Sequence, residues 1–132
     1  MYGSLDVSTS ALVANRIRQE VSAANLANMH SLENSKGEYE PFRRRFAILA
    51  PGDGRGGKGV HVREIEIDNG PLKPKYEPGS PYADERGYVY YPNVEPIIEQ
   101  MNAMEASRAY EANITAIEAT KSMMSTALRI IA

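Results

Sequence analysis

Four groups of residues carry side chains or backbone that could do chemistry. Gly52-Asp53-Gly54-Arg55-Gly56-Gly57-Lys58-Gly59 comes close to a phosphate-binding loop, in which glycine N–H groups cradle phosphates and a lysine reaches them. Gly59 stands where that loop needs a magnesium-holding hydroxyl, and the next residues alternate like a strand where the loop needs a helix N-terminus. The segment therefore reads as a hairpin tip. Arg43, Arg44 and Arg45, with Arg55, Lys58 and Arg63, form the densest positive charge. Along a strand such residues make a solvated edge, and the partner that suits them best is an acidic surface on a neighbouring subunit rather than nucleic acid or anionic lipid. His30 and His61 have no companion histidine or carboxylate at ligand spacing, so no metal is expected. Asn113-Ile114-Thr115 matches a glycosylation sequon inside a helical pattern. No carboxylate pair, Ser–His arrangement or cofactor fingerprint stands out, so neither catalysis nor a cofactor is expected.

Composition narrows the remaining classes. The chain of 132 residues carries a net charge of −2 and has no cysteine. That charge lacks the basic excess of a general nucleic-acid binder, and disulfides and thiolate metal sites are excluded. No run of about 18 apolar residues is present, so no transmembrane segment is expected. The N-terminal residues lack a basic start followed by an apolar run, so no cleaved secretory signal is expected.

The elements that must position these residues are set by punctuation. From about Asp6 to Asn28 the chain has no Gly or Pro, and Val7, Ala14, Ile17, Val21 and Ala24 fall on one helical stripe, with Asp6 a candidate N-cap. Residues 31–91 hold nine of the ten glycines and six of the eight prolines, which is turn and strand chemistry. Phe42–Leu49 and Val60–Ile67 are the strand candidates, joined across residues 51–59 as a hairpin. Val60 and Val62 share one parity while Ile65 and Ile67 share the other, which predicts a bulge or burial of both faces. From Asp68 to Tyr91 the prolines predict an ordered but irregular connector packed by tyrosines.

Pro92-Asn93-Val94-Glu95-Pro96 then opens a helix free of internal Gly and Pro as far as Ile131. At ~1.5 Å per residue it reaches roughly 55 Å, too long to be enclosed by a chain of this size. Val94, Ile97, Met101, Met104, Tyr110, Ile114, Ile117, Met124, Leu128 and Ile131 form a stripe close to a coiled-coil seam, irregular near Ser107. A second row of alanines, from Ala103 to Ala119, fits either a solvated side or close packing of another helix. The expected fold is mainly α with a small β-rich insert. Residues 1–30 form an N-terminal axial helix, 31–91 a hairpin and Pro/Tyr-rich connector, and 92–132 a C-terminal axial helix packing with the first into one composite coiled-coil domain.

Ser10-Ala11-Leu12 and Asn25-Leu26-Ala27-Asn28 near the start are followed by Gly87-Tyr88-Val89, Pro92-Asn93-Val94, Ser107-Arg108-Ala109-Tyr110-Glu111-Ala112-Asn113 and Lys121-Ser122-Met123-Met124. In this order, and with so short a middle segment, the chain resembles the bacterial flagellar rod proteins, most closely the proximal-rod FlgC type. Ser80, the Arg43–Arg45 run and the glycine-rich loop 52–59 depart from that pattern. The resemblance implies a structural subunit of the basal-body rod, a hollow shaft that transmits torque and conducts exported subunits. It implies export through the flagellar type III apparatus without a cleaved signal, residence in the periplasm, and assembly with copies of itself and with rod proteins of the FlgB, FlgF, FlgG and FliE types. The α1 stripe, with Asn25, Leu26 and Asn28 at its end, would meet the later half of the C-terminal stripe, within one subunit or between neighbours. The reading from a different class is a soluble helical-hairpin module whose basic middle takes an acidic or phosphate-bearing partner.

Overall fold

The computed structural model describes residues 2–132. Two helices, α1 (Tyr2–Ala27) and α2 (Pro96–Ile131), flank four strands, β1 (Arg45–Pro51), β2 (Val60–Ile67), β3 (Lys73–Tyr76) and β4 (Tyr88–Tyr91). The fold is mainly helical with a β insert. α1 starts one turn before the expected N-cap, so Asp6 lies inside the helix rather than at its start. The other end falls where Asn25-Leu26-Ala27-Asn28 placed it: the Asn28 backbone N–H and side-chain amide both donate to Ala24 O, at 3.1 and 2.8 Å, satisfying a carbonyl that the helix leaves without a partner. α2 runs 36 residues without a break, with Pro96 in its first turn, where a missing N–H costs nothing.

β1 and β2 form an antiparallel hairpin with a register shift between Ile48 and Leu49. Ile48 lies opposite Glu64 and Leu49 opposite Val62, so Arg63 is the extra residue and the alternation changes face there. The connector differs from expectation. Lys73–Tyr76 and Tyr88–Tyr91 pair as a second antiparallel hairpin. In a two-stranded sheet every strand is an edge, so Pro74, opposite Tyr90, can leave its missing N–H on the outer side. The turn is built by Asp84, whose carboxylate accepts the N–H groups of Arg86 and Tyr88 at 2.9 Å each. Those bonds hold its pKa below the usual carboxylate range, Tyr88 contributing most. At Gly87, φ is +86° and a Cβ would lie 2.9 Å from the Tyr76 ring, so only glycine fits.

α1 and α2 lie antiparallel: Asn25 bonds Glu99, and Arg18 pairs with Glu105 at 3.5 Å. The α1 row that passes through both contacts is Ser8, Ala11, Asn15, Arg18, Ser22 and Asn25, spaced by threes and fours and at least half-buried throughout. The facing row on α2 is Glu99, Ala103, Ala106, Tyr110, Asn113, Ile117, Thr120, Met124 and Ala127, at the same spacing. Ser22 on α1 and Ala103 and Ala106 on α2 are small, which lets the two backbones approach closely at that end. Among the described residues the buried apolar set is correspondingly small: Ala106 between the helices, Ala14 on the side of α1 that meets the first hairpin, Val89 in β4, and Val94 just before α2.

Candidate functional site

The apolar rows of the two helices do not face each other. On α1, Ala14, Ile17, Val21 and Ala24 turn toward the first hairpin: Ile17, Val21 and Ala24 line one cleft with Arg45 and Ile65, and Ala14 and Ile17 another with Val60 and Val62. Val7 lies at the open end of that groove, beside Asp53 and Lys58. Within the subunit, then, the stripe expected to meet Ile114, Ile117, Met124 and Leu128 meets a sheet. The polar row of α1 that ends in Asn25 faces α2 and its buried Glu99, and the apolar row is set against the strands.

The stripe assigned to α2 divides at Ser107. Its later members Tyr110, Ile117 and Met124 are half-buried against the α1 side, while Ile114 sits at the edge of that face. Its earlier members Ile97, Met101 and Met104 project from the opposite side, Ile97 being 73% and Met101 63% exposed. Val94 precedes the helix and is buried. Leu128 and Ile131 are exposed too, Ile131 at 82%, because α2 continues past the point where α1 has residues to set against it. The irregularity near Ser107 is thus a change of face on a continuous helix. The alanine row serves closer packing in its first half, where Ala106 is fully buried.

The arginine run is largely turned inward. Arg43 donates to Gly70 O at 2.8 Å. Arg44 Nε donates to Glu99 Oε1 at 2.5 Å and its Nη1 lies 3.5 Å from Asp68 Oδ2, with the guanidinium 5.7 Å from the Phe46 ring centre. Arg43 and Arg44 are therefore spent within the subunit, because the carboxylate and carbonyls around them need the charge. Arg45 stays exposed over the Phe42 ring, and Arg55 and Lys58 are exposed on the hairpin tip.

That tip is a sequence of tight turns. Asp53 Oδ1 accepts the N–H groups of Arg55 and Gly57 at 2.8 Å each, which holds its carboxyl below the usual range. His61 Nδ1 lies 2.8 Å from Gly52 O, tying the ring to the loop. The tip is anchored on α1 by Ser10, whose hydroxyl accepts the Val60 N–H at 3.1 Å and donates to Val7 O at 2.7 Å. Asn113 is engaged with Ala109 O in mid-helix.

The site that sequence reasoning missed is a buried polar clasp around Glu99, 1% exposed, and Asn25, fully buried. Asn25 Nδ2 donates to Glu99 Oε2 at 3.1 Å and to Arg45 O at 2.8 Å, while its Oδ1 accepts the Arg45 N–H at 2.9 Å. Asn93 closes the far side, accepting the Arg44 N–H at 2.8 Å and donating to Asp68 O at 3.1 Å. A signal was available: Glu99 is the one acidic residue in a row of small and apolar residues spaced by threes and fours.

Two family models match the helical ends. One, described as "Flagella basal body rod protein", covers residues 5–30. The other, described as "Flagellar basal body rod FlgEFG protein C-terminal", covers residues 85–130. The chain is similar over nearly its whole length to curated relatives named "Flagellar basal-body rod protein FlgC". The Bacillus subtilis relative is 39% identical over 145 residues, spanning 98% of this chain and 97% of that one. The Borreliella burgdorferi relative is 37% identical, spanning 99% and 97%, and the Salmonella typhimurium relative 42% identical, spanning 90% and 89%. With helical ends and middle segment all covered at this identity, the chain belongs to the FlgC family of flagellar basal-body rod proteins.

Proposed function

We propose that this chain is a structural subunit of the flagellar basal-body proximal rod, doing its work by association through its two long helices. The observation that carries this reading is the apolar surface of α2 that its own subunit leaves uncovered: Ile97, Met101 and Met104 on the back face, and Leu128 and Ile131 beyond the reach of α1. Burial of such rows at about 25 cal/mol per Å² supplies the driving force for contacts with other subunits. The row spacing of three and four supports a coiled-coil arrangement of the helical ends as one composite axial unit, with residues 31–91 forming the outward part. The partners are copies of this chain and rod proteins of the FlgB, FlgF, FlgG and FliE types. Delivery is through the flagellar export apparatus, to a position in the periplasm, and the role requires no catalytic group.

Met101→Asp tests the reading. The side chain lies off the subunit's own helix contact, so the variant should keep wild-type helical content by circular dichroism. Its incorporation into purified basal bodies, and with it swimming, should be abolished, because assembly would bury an unpaired charge. Normal motility with Asp at this position would overturn the assignment of the back face.

A further inference from the structure

We propose that Asn25, Arg44 and Glu99 form a closure lock, which makes pairing of the two long helices conditional on docking of the segment around residues 43–45. The starting point is the position of Glu99. It sits in the α2 row that faces α1 and is removed from solvent, yet α1 offers it only one hydrogen bond, from the Asn25 amide. A carboxylate buried with a single neutral donor loses its hydration without a countercharge, a large penalty in a protein interior. The countercharge comes from neither helix. Arg44 supplies it from the strand approach, through Nε to Glu99 Oε1, and is itself held in place by Asn93, Asp68 and the Phe46 ring.

Asn25 enforces the same condition from the other side. Its amide nitrogen donates to both Glu99 and Arg45 O, and its oxygen accepts the Arg45 N–H, so it completes its bonding only when that backbone is alongside. Close to the lock the helix contact buries little apolar area: Ala106 is the fully buried side chain that α2 contributes there, facing Ser22 and Asn25 of α1, while Tyr110, Ile117 and Met124 are half-buried farther along. Helix pairing and docking of the middle segment are therefore one event. A chain whose residues 43–45 are undocked keeps its helices apart, because Glu99 then lacks its countercharge.

The chain has no native cysteine, so spin labels can be placed at exposed Ala23 and Gln100 of the full-length protein and their separation measured by pulsed electron resonance. The unsubstituted chain should give one short, narrow distance. Arg44→Met should raise the open population about 100-fold, giving a long, broad distribution, because Glu99 is left buried and unpaired. Arg44→Met combined with Glu99→Leu should restore the short distance, since an apolar pair of similar volume needs no countercharge. A labelled chain that is open without these substitutions, an Arg44→Met chain that stays closed, or a double variant that stays open would each overturn the lock.

Discussion

At the scale of single residues, bonding geometry in this protein is more informative than residue type. Asp53 and Asp84 look like ordinary loop carboxylates, yet each accepts two backbone N–H groups across a tight turn. Both pKa values are lowered, by the N–H groups of Arg55 and Gly57 for Asp53 and foremost by that of Tyr88 for Asp84. A carboxyl whose folded pKa is depressed stabilises the fold fully above its unfolded value, and the contribution is lost as pH falls through the folded one. The two turns should hold at neutral pH and loosen only in acid, below about pH 4. Amide exchange at Gly57 and Tyr88, corrected for the intrinsic pH dependence, should show protection falling in that window and unchanged between pH 6 and 8. The turn residues themselves were legible, since Asp-x-Gly and Asp-x-x-Gly punctuate the sequence. The clasp was legible only at Glu99, the acidic residue that stands out in its row: Asn25 reads as part of a helix end, and its partner is the backbone of a residue twenty positions on. Local patterns carry no record of so distant a contact.

Elements were legible in proportion to how far their signals are local. α2 announces itself by lacking Gly and Pro, and the first hairpin by alternation on both sides of a glycine-rich tip. The bulge was foreshadowed by the change of parity between Val62 and Ile65. The second hairpin was hidden because Pro74, a residue that argues against a strand, sits where no ladder bond is needed. Which helix side meets which neighbour was also hidden, because it turns on the placement of one charged side chain. The anchoring of the first hairpin on α1 gives a test at this scale. Gly59 has φ of +118°, and a Cβ there would lie 2.3 Å from Ser10 Oγ. Gly59→Ala should lower stability by about 1–3 kcal/mol through backbone strain and the forced withdrawal of Ser10. It should also weaken amide protection at Val60 while leaving the clasp at the other end of the hairpin intact. Denaturant melts paired with amide exchange would read both effects, and an unchanged melt would mean that the tip does not bear on α1.

For the molecule as a whole, the balance of buried and exposed apolar groups sets the behaviour. Among the described residues Ala14, Val89, Val94 and Ala106 are the buried apolar side chains, while Ile97, Met101, Met104, Leu128, Ile130 and Ile131 are left in solvent. An isolated subunit should therefore unfold at a free energy near or below the low end of the usual domain range, roughly 5 kcal/mol, and resist far higher denaturant once incorporated, because neighbours bind only the folded form. Comparing urea melts of the dilute chain and of purified basal bodies tests this, and a dilute chain as robust as the assembly would speak against a partner-dependent fold. The inequality of the two helices has a consequence of its own. α2 has 36 residues against 26 in α1, an offset of ~15 Å along their common axis. With Asn25 set against Glu99, the helices end level at Ala27 and Pro96, so the whole offset stands at the other end as a bare length of α2, a tongue left for a neighbouring molecule to sheathe.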